Sequence, residues 1–175
     1  MPATPVFALP YPAATDPADV PTDMGELATA VETALGLMQR RAELAYSEFT
    51  APVAVTVVAE SAAIPVVTTP SVACDGTPVV IEFVAPIMVL AATAAAVLTV
   101  NLWVDGADQG RIAQINNNSS GNLGLQIAGR RRLTPAAGNH TFAIRAWSQG
   151  GTTTIYAGTG GAGAYVPGSI RVARA

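Results

Sequence analysis

Residues 83–104 read FVAPIMVLAATAAAVLTVNLWV, a stretch without a single charge, and the fold class turns on whether it crosses a membrane as a helix or runs as strands. A spanning helix needs about 20 apolar residues, so length alone permits one. Pro86 falls near the start, however, and from Val97 onward Val97, Thr99, Asn101 and Trp103 alternate with Leu98, Val100, Leu102 and Val104. That is the period of a strand with two faces, both largely apolar. The stretch is therefore expected to form strands without membrane insertion, and 97–104 is the candidate seam between subunits, where an uncharged face is hidden.

Working outward, nearly everything after Phe49 is β in pattern: short runs rich in Val, Ile and Thr, punctuated by Gly and Pro. Expected strands are 53–58, 64–68, 79–84, 87–90, 97–104, 110–115, 123–127, 140–148, 152–158 and 169–173. Asp75-Gly76, Asp105-Gly106 and Gly138-Asn139 mark turns, and Asp105-Gly106 between two apolar runs reads as a hairpin. This many short strands point to a double-sheet sandwich, most simply an antiparallel jelly roll over residues 49–175. Its interior should hold Val55, Val57, Ile81, Phe83, Leu98, Val100, Leu102, Phe142, Ile144, Ala146 and Ile170. The segment 116–124, NNNSSGNLG, is a polar loop suited to a sandwich tip.

Upstream the pattern differs. Residues 1–21 contain Pro2, Pro5, Pro10, Pro12, Pro17 and Pro21, interspersed with Val6, Phe7, Leu9 and Tyr11. Proline fixes φ and removes a donor, so this is an extended arm whose apolar anchors need a groove elsewhere. From Asp23 the pattern becomes helical to about residue 47, with Glu26 three residues after Asp23 as in a capping box. Met24, Val31, Met38 and Ala45 recur every seven residues, and Leu27, Ala34 and Leu35 fill positions between them. Such a coiled-coil seam over 22–48 packs either on its own domain or on copies of itself, and its place between two differently charged parts favours self-association.

Composition excludes much chemistry. The chain has 175 residues, with one Cys, one His, and a net charge of −3. Cys74 has no partner for an intramolecular disulfide, and a tetrahedral zinc site of Cys and His ligands cannot be assembled within one chain. All basic residues are arginine. Residues 1–60 hold eight acids and two arginines, whereas 61–175 hold four acids and seven arginines, balances of −6 and +3. That asymmetry suits contact between copies or with a larger assembly, not nucleic-acid binding. The N-terminus lacks the positive region and apolar core of a secretory signal.

Residues 5–35, PVFALPYPAATDPADVPTDMGELATAVETAL, resemble the N-terminal segment of small virion proteins of tailed phages that infect actinobacteria. In those proteins a proline-rich arm precedes a short trimerising helix. The runs AGNHTFAIRAW, GTTTIYAG and AYVPGSIRVAR are similar to the last strands of trimeric jelly rolls shared by tumour necrosis factor, complement-type globular heads and phage fibre or head-decoration domains. The resemblance implies a homotrimer held on a virion surface by its arms, against a major capsid protein or a tail or baseplate protein, with the β domain outward. It also implies docking by Val6, Phe7, Leu9 and Tyr11, and oligomerisation through Met24, Leu27, Val31, Leu35 and Met38.

Motifs for catalysis are thin. His140 lies in a Gly-Asn-His-Thr turn with no nucleophile elbow in the chain, and reads as a strand-edge residue. Asp105 and Asp108 lack the spacing of a calcium loop and read as hairpin residues. No cofactor or metal is expected, and an enzyme would need a composite site between subunits. Arg130-Arg131-Arg132 is the sharpest local feature: it is expected to lie in a solvated loop, or to contact a partner or ligand through bidentate guanidinium bonds. The glycine-rich run 158–163 lacks the Lys and Ser/Thr of a phosphate loop and reads as a strand connection. Trp103 and Trp147 are assigned to a core or subunit seam. Two functions follow: a structural trimeric virion protein, or a receptor-binding module whose loop 116–124 and arginine cluster recognise a host-surface glycan.

Overall fold

The computed structural model describes residues 20–39, 42–91 and 95–175, with helix side chains described at 22 and 24–36. The arm residues Val6, Phe7, Leu9 and Tyr11 and the side chain of Met38 lie outside the described residues. The chain divides into two compact units, Met1–Ala42 and Glu43–Ala175.

In the first unit, α1 spans Val20–Gln39. It starts ahead of the expected cap, so Asp23 lies within the first turn. Thr29 and Thr33 donate their hydroxyls to the carbonyls four residues back, each at 2.9 Å, which keeps them inside the helix. Met24, Leu27, Val31 and Leu35 are exposed, at 66%, 42%, 38% and 53%.

The second unit contains twelve strands: β1 (Glu43–Phe49), β2 (Val53–Val55), β3 (Ile64–Thr68), β4 (Val72–Asp75), β5 (Val79–Leu90), β6 (Ala96–Val104), β7 (Ala107–Asn117), β8 (Leu123–Leu133), β9 (Ala137–His140), β10 (Phe142–Gln149), β11 (Thr153–Tyr156) and β12 (Gly168–Arg174), with a 3₁₀ turn at Glu60–Ala62. Residues 43–47, read from sequence as the end of the helix, are a correction: they belong to β1. Ala45 faces inward there while Tyr46 and Glu48 face out, and the strand pairs with β12 along most of its length. Tertiary pairing overrides a local helical pattern, and the last heptad position, Ala45, is part of the sandwich core.

One sheet runs β1-β12-β5-β11-β2 with β8 on the free edge of β5, and the other runs β3-β10-β6-β7. The pairs nest: β1 with β12, β3 with β10, β5 with β8, and β6 with β7, all antiparallel. Early strands thus pair with late ones and middle strands with each other, the wrapping of a jelly roll. β4 and β9 form a separate ribbon. The strands expected at 79–84 and 87–90 are one continuous strand, with Pro86 sitting where the register to β8 shifts, a place that tolerates a missing donor. Asp105 (φ +50°) and Gly106 (φ +80°) turn β6 into β7 with both central residues at positive φ, the two-residue turn whose twist suits a hairpin.

The core lies between the two sheets. Of the residues expected inside, Val55, Ile81, Phe83, Leu98, Val100, Leu102, Phe142, Ile144, Ala146 and Ile170 are buried, whereas Val57 is half-buried because the chain leaves the sheet after Val55. Among the described residues no helix is long and apolar enough to cross a membrane. The polar loop is shorter than expected, since Asn117 ends β7 and Leu123 begins β8. Asn117 is buried and holds the loop, its amide donating to the carbonyls of Ala91 and Gly121 at 2.9 Å and accepting from the Ser119 N–H at 3.0 Å.

Candidate functional site

Strict alternation in β6 sends Leu98, Val100 and Leu102 into the core and Thr99, Asn101 and Trp103 to the opposite face of the four-stranded sheet. Register fixes their neighbours. Asn101 lies between Arg145 of β10 and Arg111 of β7, Thr99 between Trp147 and Gln114, and Trp103 between Ala143 and Asp108. The outer face of this sheet is therefore a mosaic of two indoles, two guanidiniums and amide groups.

The mosaic is held together by short contacts. Asn101 is fully buried, and its Nδ2 donates to Glu60 Oε1 at 2.6 Å and Asp108 Oδ2 at 2.7 Å. Glu60 arrives from the 3₁₀ turn, and Asp108 also accepts the N–H of Gly110 at 2.6 Å. The Arg145 guanidinium lies over the Trp103 ring at 4.5 Å from its centroid, and that of Arg111 over Trp147 at 5.8 Å, both within cation–π range. Arg111 Nη1 donates to Gln114 Oε1 at 2.9 Å.

Several polar atoms here have no partner. Thr99 Oγ1, Asn101 Oδ1, Trp103 Nε1, Arg145 Nε and Trp147 Nε1 are buried without a hydrogen bond, and every such side-chain atom found among the described residues belongs to this one face. Buried polar groups are ordinarily paired, and an orphan costs about 1–3 kcal/mol. The set holds both donors and acceptors. Glu60 and Asp108 both accept from Asn101, and the indoles, guanidiniums and unpartnered polar atoms give this face groups that can bind a ligand.

The arginine cluster lies elsewhere. It is in β8, not in a loop, and strand alternation splits it: Arg130 and Arg132 share the outer face of the six-stranded sheet, opposite Glu82 and Val80, while Arg131 projects to the other face and donates to the Gln109 carbonyl. Arg130 Nε is 3.4 Å from Glu82 Oε1. Arg171 joins the same row, with Nε 2.9 Å from Glu43 Oε2 and Nη1 3.8 Å from Glu82 Oε2. Glu43, Arg171, Glu82 and Arg130 thus alternate in sign across four strands, and the three adjacent arginines do not converge on a common point.

His140 sits at the end of β9 with both ring nitrogens engaged, Nδ1 with Asp105 Oδ2 at 2.6 Å and Nε2 with the Ala136 carbonyl at 2.9 Å. The Asp105 carboxylate, and secondly the carbonyl, raise the His140 pKa above its ordinary value. Asp105 is held below the usual carboxylate range, first by the Thr141 N–H and then by His140. A ring whose two nitrogens both face acceptors has no free lone pair for a nucleophile. Asp105 and Asp108 point to different partners, which explains both as hairpin residues. Cys74 is buried in β4, and burial pushes its thiol pKa up.

The sequence reading placed both tryptophans in a core or seam and did not single out Asn101, Arg111, Arg145 or Glu60. The available signal was phase: Thr99 and Asn101 interrupt an apolar strand in register with Trp103, and Arg145 and Trp147 share one phase in β10.

No family model and no curated protein matches the chain. Among solved structures it is similar to the EclA C-terminal domain, a sugar-binding protein, at 14% identity and TM-score 0.33 over 73% of this chain and 76% of that one. It is similar to a carbohydrate-binding module of Cellvibrio mixtus lichenase 5A at 14% identity and TM-score 0.30, over 79% of this chain and 93% of that one. A third likeness is to infectious bursal disease virus, Gt strain, at 13% identity and TM-score 0.29, over 74% of this chain and 36% of that one. None of these likenesses assigns a ligand to this chain.

Proposed function

We propose that the β-sandwich is a saccharide-binding module, of the kind a receptor-binding fibre uses on a host-surface glycan. The observation that supports it is the gathering of the orphaned buried polar atoms on one sheet face beside two indole rings. Trp103 and Arg145 are only half-buried, so a sugar can reach the indole surface and the guanidinium, whose N–H groups donate to its hydroxyls. The C–H surface of a pyranose matches the apolar body of tryptophan, whose N–H supplies the polar end. Sites of this type combine aromatic walls with a few fixed polar groups.

Titration calorimetry of the full chain against soluble neutral and acidic polysaccharides tests this. At least one class should bind, and Trp103→Ala should weaken it roughly tenfold, the loss expected for about 1.4 kcal/mol. Absence of binding throughout, or unchanged affinity in Trp103→Ala, overturns the reading.

A structural virion role has its own support in α1. Met24, Leu27, Val31 and Leu35 form an exposed apolar stripe, flanked by Ala28 and Ala34, while Glu26 lies on the opposite side. A stripe this wide is better covered by three helices than by two. This reading makes the chain a homotrimer on a virion surface, joined by its arm to a major capsid protein or a tail or baseplate protein. Light scattering should give three times 17.8 kDa for the full chain, with Val31→Asp lowering it. A monomer overturns it.

A further inference from the structure

We infer that the saccharides taken by this face are acidic, and that Arg145 receives their carboxylate. The inference rests on the saccharide reading and adds the ligand's charge. Three of the arginines of the sandwich already meet acids: Arg130 and Arg171 pair with Glu82 and Glu43, and Arg174 with Asp75. Arg131 meets a carbonyl, and Arg132 is exposed to water. The two arginines on the tryptophan face differ. Arg111 donates to the neutral amide of Gln114, and the half-buried side chain of Arg145 makes no hydrogen bond or ion pair with any described residue. Among the described residues the carboxylates on that face, Glu60 and Asp108, both accept from Asn101 Nδ2. Arg145 thus makes no ion pair although Glu60 and Asp108 share its face, and a partly desolvated cation gains from one.

Geometry narrows the anion. The Arg145 guanidinium is set over the Trp103 ring, which restrains it, and its Nη N–H groups remain for a planar acceptor. A carboxylate fits that edge with two parallel bonds. A uronate ring offers such a carboxylate to the half-buried Arg145, and its hydroxyls and C–H face to the half-buried Trp103 indole beside it.

The experiment compares uronate polysaccharides (polygalacturonate, alginate, hyaluronan) with the same polymers after reduction of their carboxyls to hydroxymethyl groups, by titration calorimetry on the full chain. At least one acid polymer should bind tenfold or more tightly than its reduced form. Arg145→Gln should cost 10- to 100-fold on the acid form, the range for a charge-assisted hydrogen bond, and at least several-fold less on the reduced form, which loses only a neutral contact; an equal loss on both forms overturns the inference. Arg145→Lys keeps the charge without the fork and should recover only part; it also carries the test if Arg145→Gln does not fold. Equal binding of acid and reduced polymers overturns the inference while the saccharide reading stands. No binding to either overturns the inference, and overturns the saccharide reading as well if the neutral polysaccharides also fail. An equal loss in Arg132→Gln, which removes the same charge from the other sheet, traces the preference to net charge and overturns the inference.

Discussion

Gly168→Ala should destabilise the sandwich by about 2 kcal/mol, and the cost should vanish once Phe49 is shortened. The two residues are direct partners in the β1–β12 ladder. A methyl group at 168 would lie 2.1 Å from Phe49 Cε1 and 2.2 Å from Cζ, far inside the 3.0 Å that real contacts respect. The ring cannot retreat freely, because it stacks on Phe83 with centroids 6.4 Å apart and planes 15° apart, and Phe83 is fully buried. Overpacking of this kind costs about 1–3 kcal/mol. Phe49→Ala alone removes a half-buried ring and its stack, about 2 kcal/mol after discounting the usual 3–5 for partial exposure. With that ring gone the added methyl has room, and the change from glycine even limits the unfolded chain, a gain of about 0.4–1 kcal/mol. The double variant should therefore be no less stable than Phe49→Ala, with a coupling of about 2 kcal/mol between the sites. Urea unfolding followed by tryptophan fluorescence measures all four proteins, each compared at unchanged slope. If the two losses add within about 0.5 kcal/mol, the ring does not cover Gly168 and the packing argument fails.

The clamp between Asp105 and His140 should make stability depend on pH in two directions. His140 titrates above its ordinary 6.5, so its contribution is complete below that value and lost as pH rises through the raised one. Asp105 titrates below its ordinary 3.8, so its contribution is complete above 3.8 and lost as pH falls through the lowered value. An NMR titration of the single histidine with a midpoint at or below 6.5 would refute the pairing. Arg131→Ala should cost about 1 kcal/mol by freeing the Gln109 carbonyl, whereas Arg132→Ala should stay within about 0.5; equal melting temperatures would contradict the split of the cluster. Thr99→Val, which deletes a buried hydroxyl without a partner, should stabilise the fold by up to about 1 kcal/mol while weakening saccharide binding; a loss of stability would mean the hydroxyl is satisfied.

Alternation made the sandwich legible in the sequence. Leu98, Val100, Leu102, Phe142, Ile144 and Ala146 could be assigned inward because each run keeps one phase, and Asp105-Gly106 declared its hairpin through residues that accept positive φ. The helix end was not legible, because ELAYSEF extends a heptad as well as it alternates, and only the partner strand β12 decides between them. Nor was Pro86, which looks like a break until β8 supplies a register shift to place it in. The arginine triplet was misread for a related reason: adjacency in sequence suggests a common site, but in a strand adjacent residues face opposite ways. The tryptophan face escaped because an uncharged run apolar in both phases reads as hidden at a subunit seam, and the arginines that flank it come from other strands, whose register the sequence does not give.

That last ambiguity bears on how one strand serves two ends. In β6 one phase fills the core, where Leu98, Val100 and Leu102 are fully buried, and the other carries Thr99, Asn101 and Trp103. Central position in the sheet holds both sets rigidly, since β10 and β7 pair with β6 on either side. Rigidity favours a binding face, because groups already fixed lose little freedom when a ligand arrives. It also makes unmatched polar atoms costly, as they cannot turn away to find water. Five orphans at roughly 1 kcal/mol each would take a sizeable part of the 5–15 kcal/mol by which a domain is stable. A face selected for stability alone would carry valine and leucine at 99 and 101, as the opposite phase of the same strand does. The polar residues sit where they are most expensive and most firmly aimed, which is the combination the proposed recognition role would use.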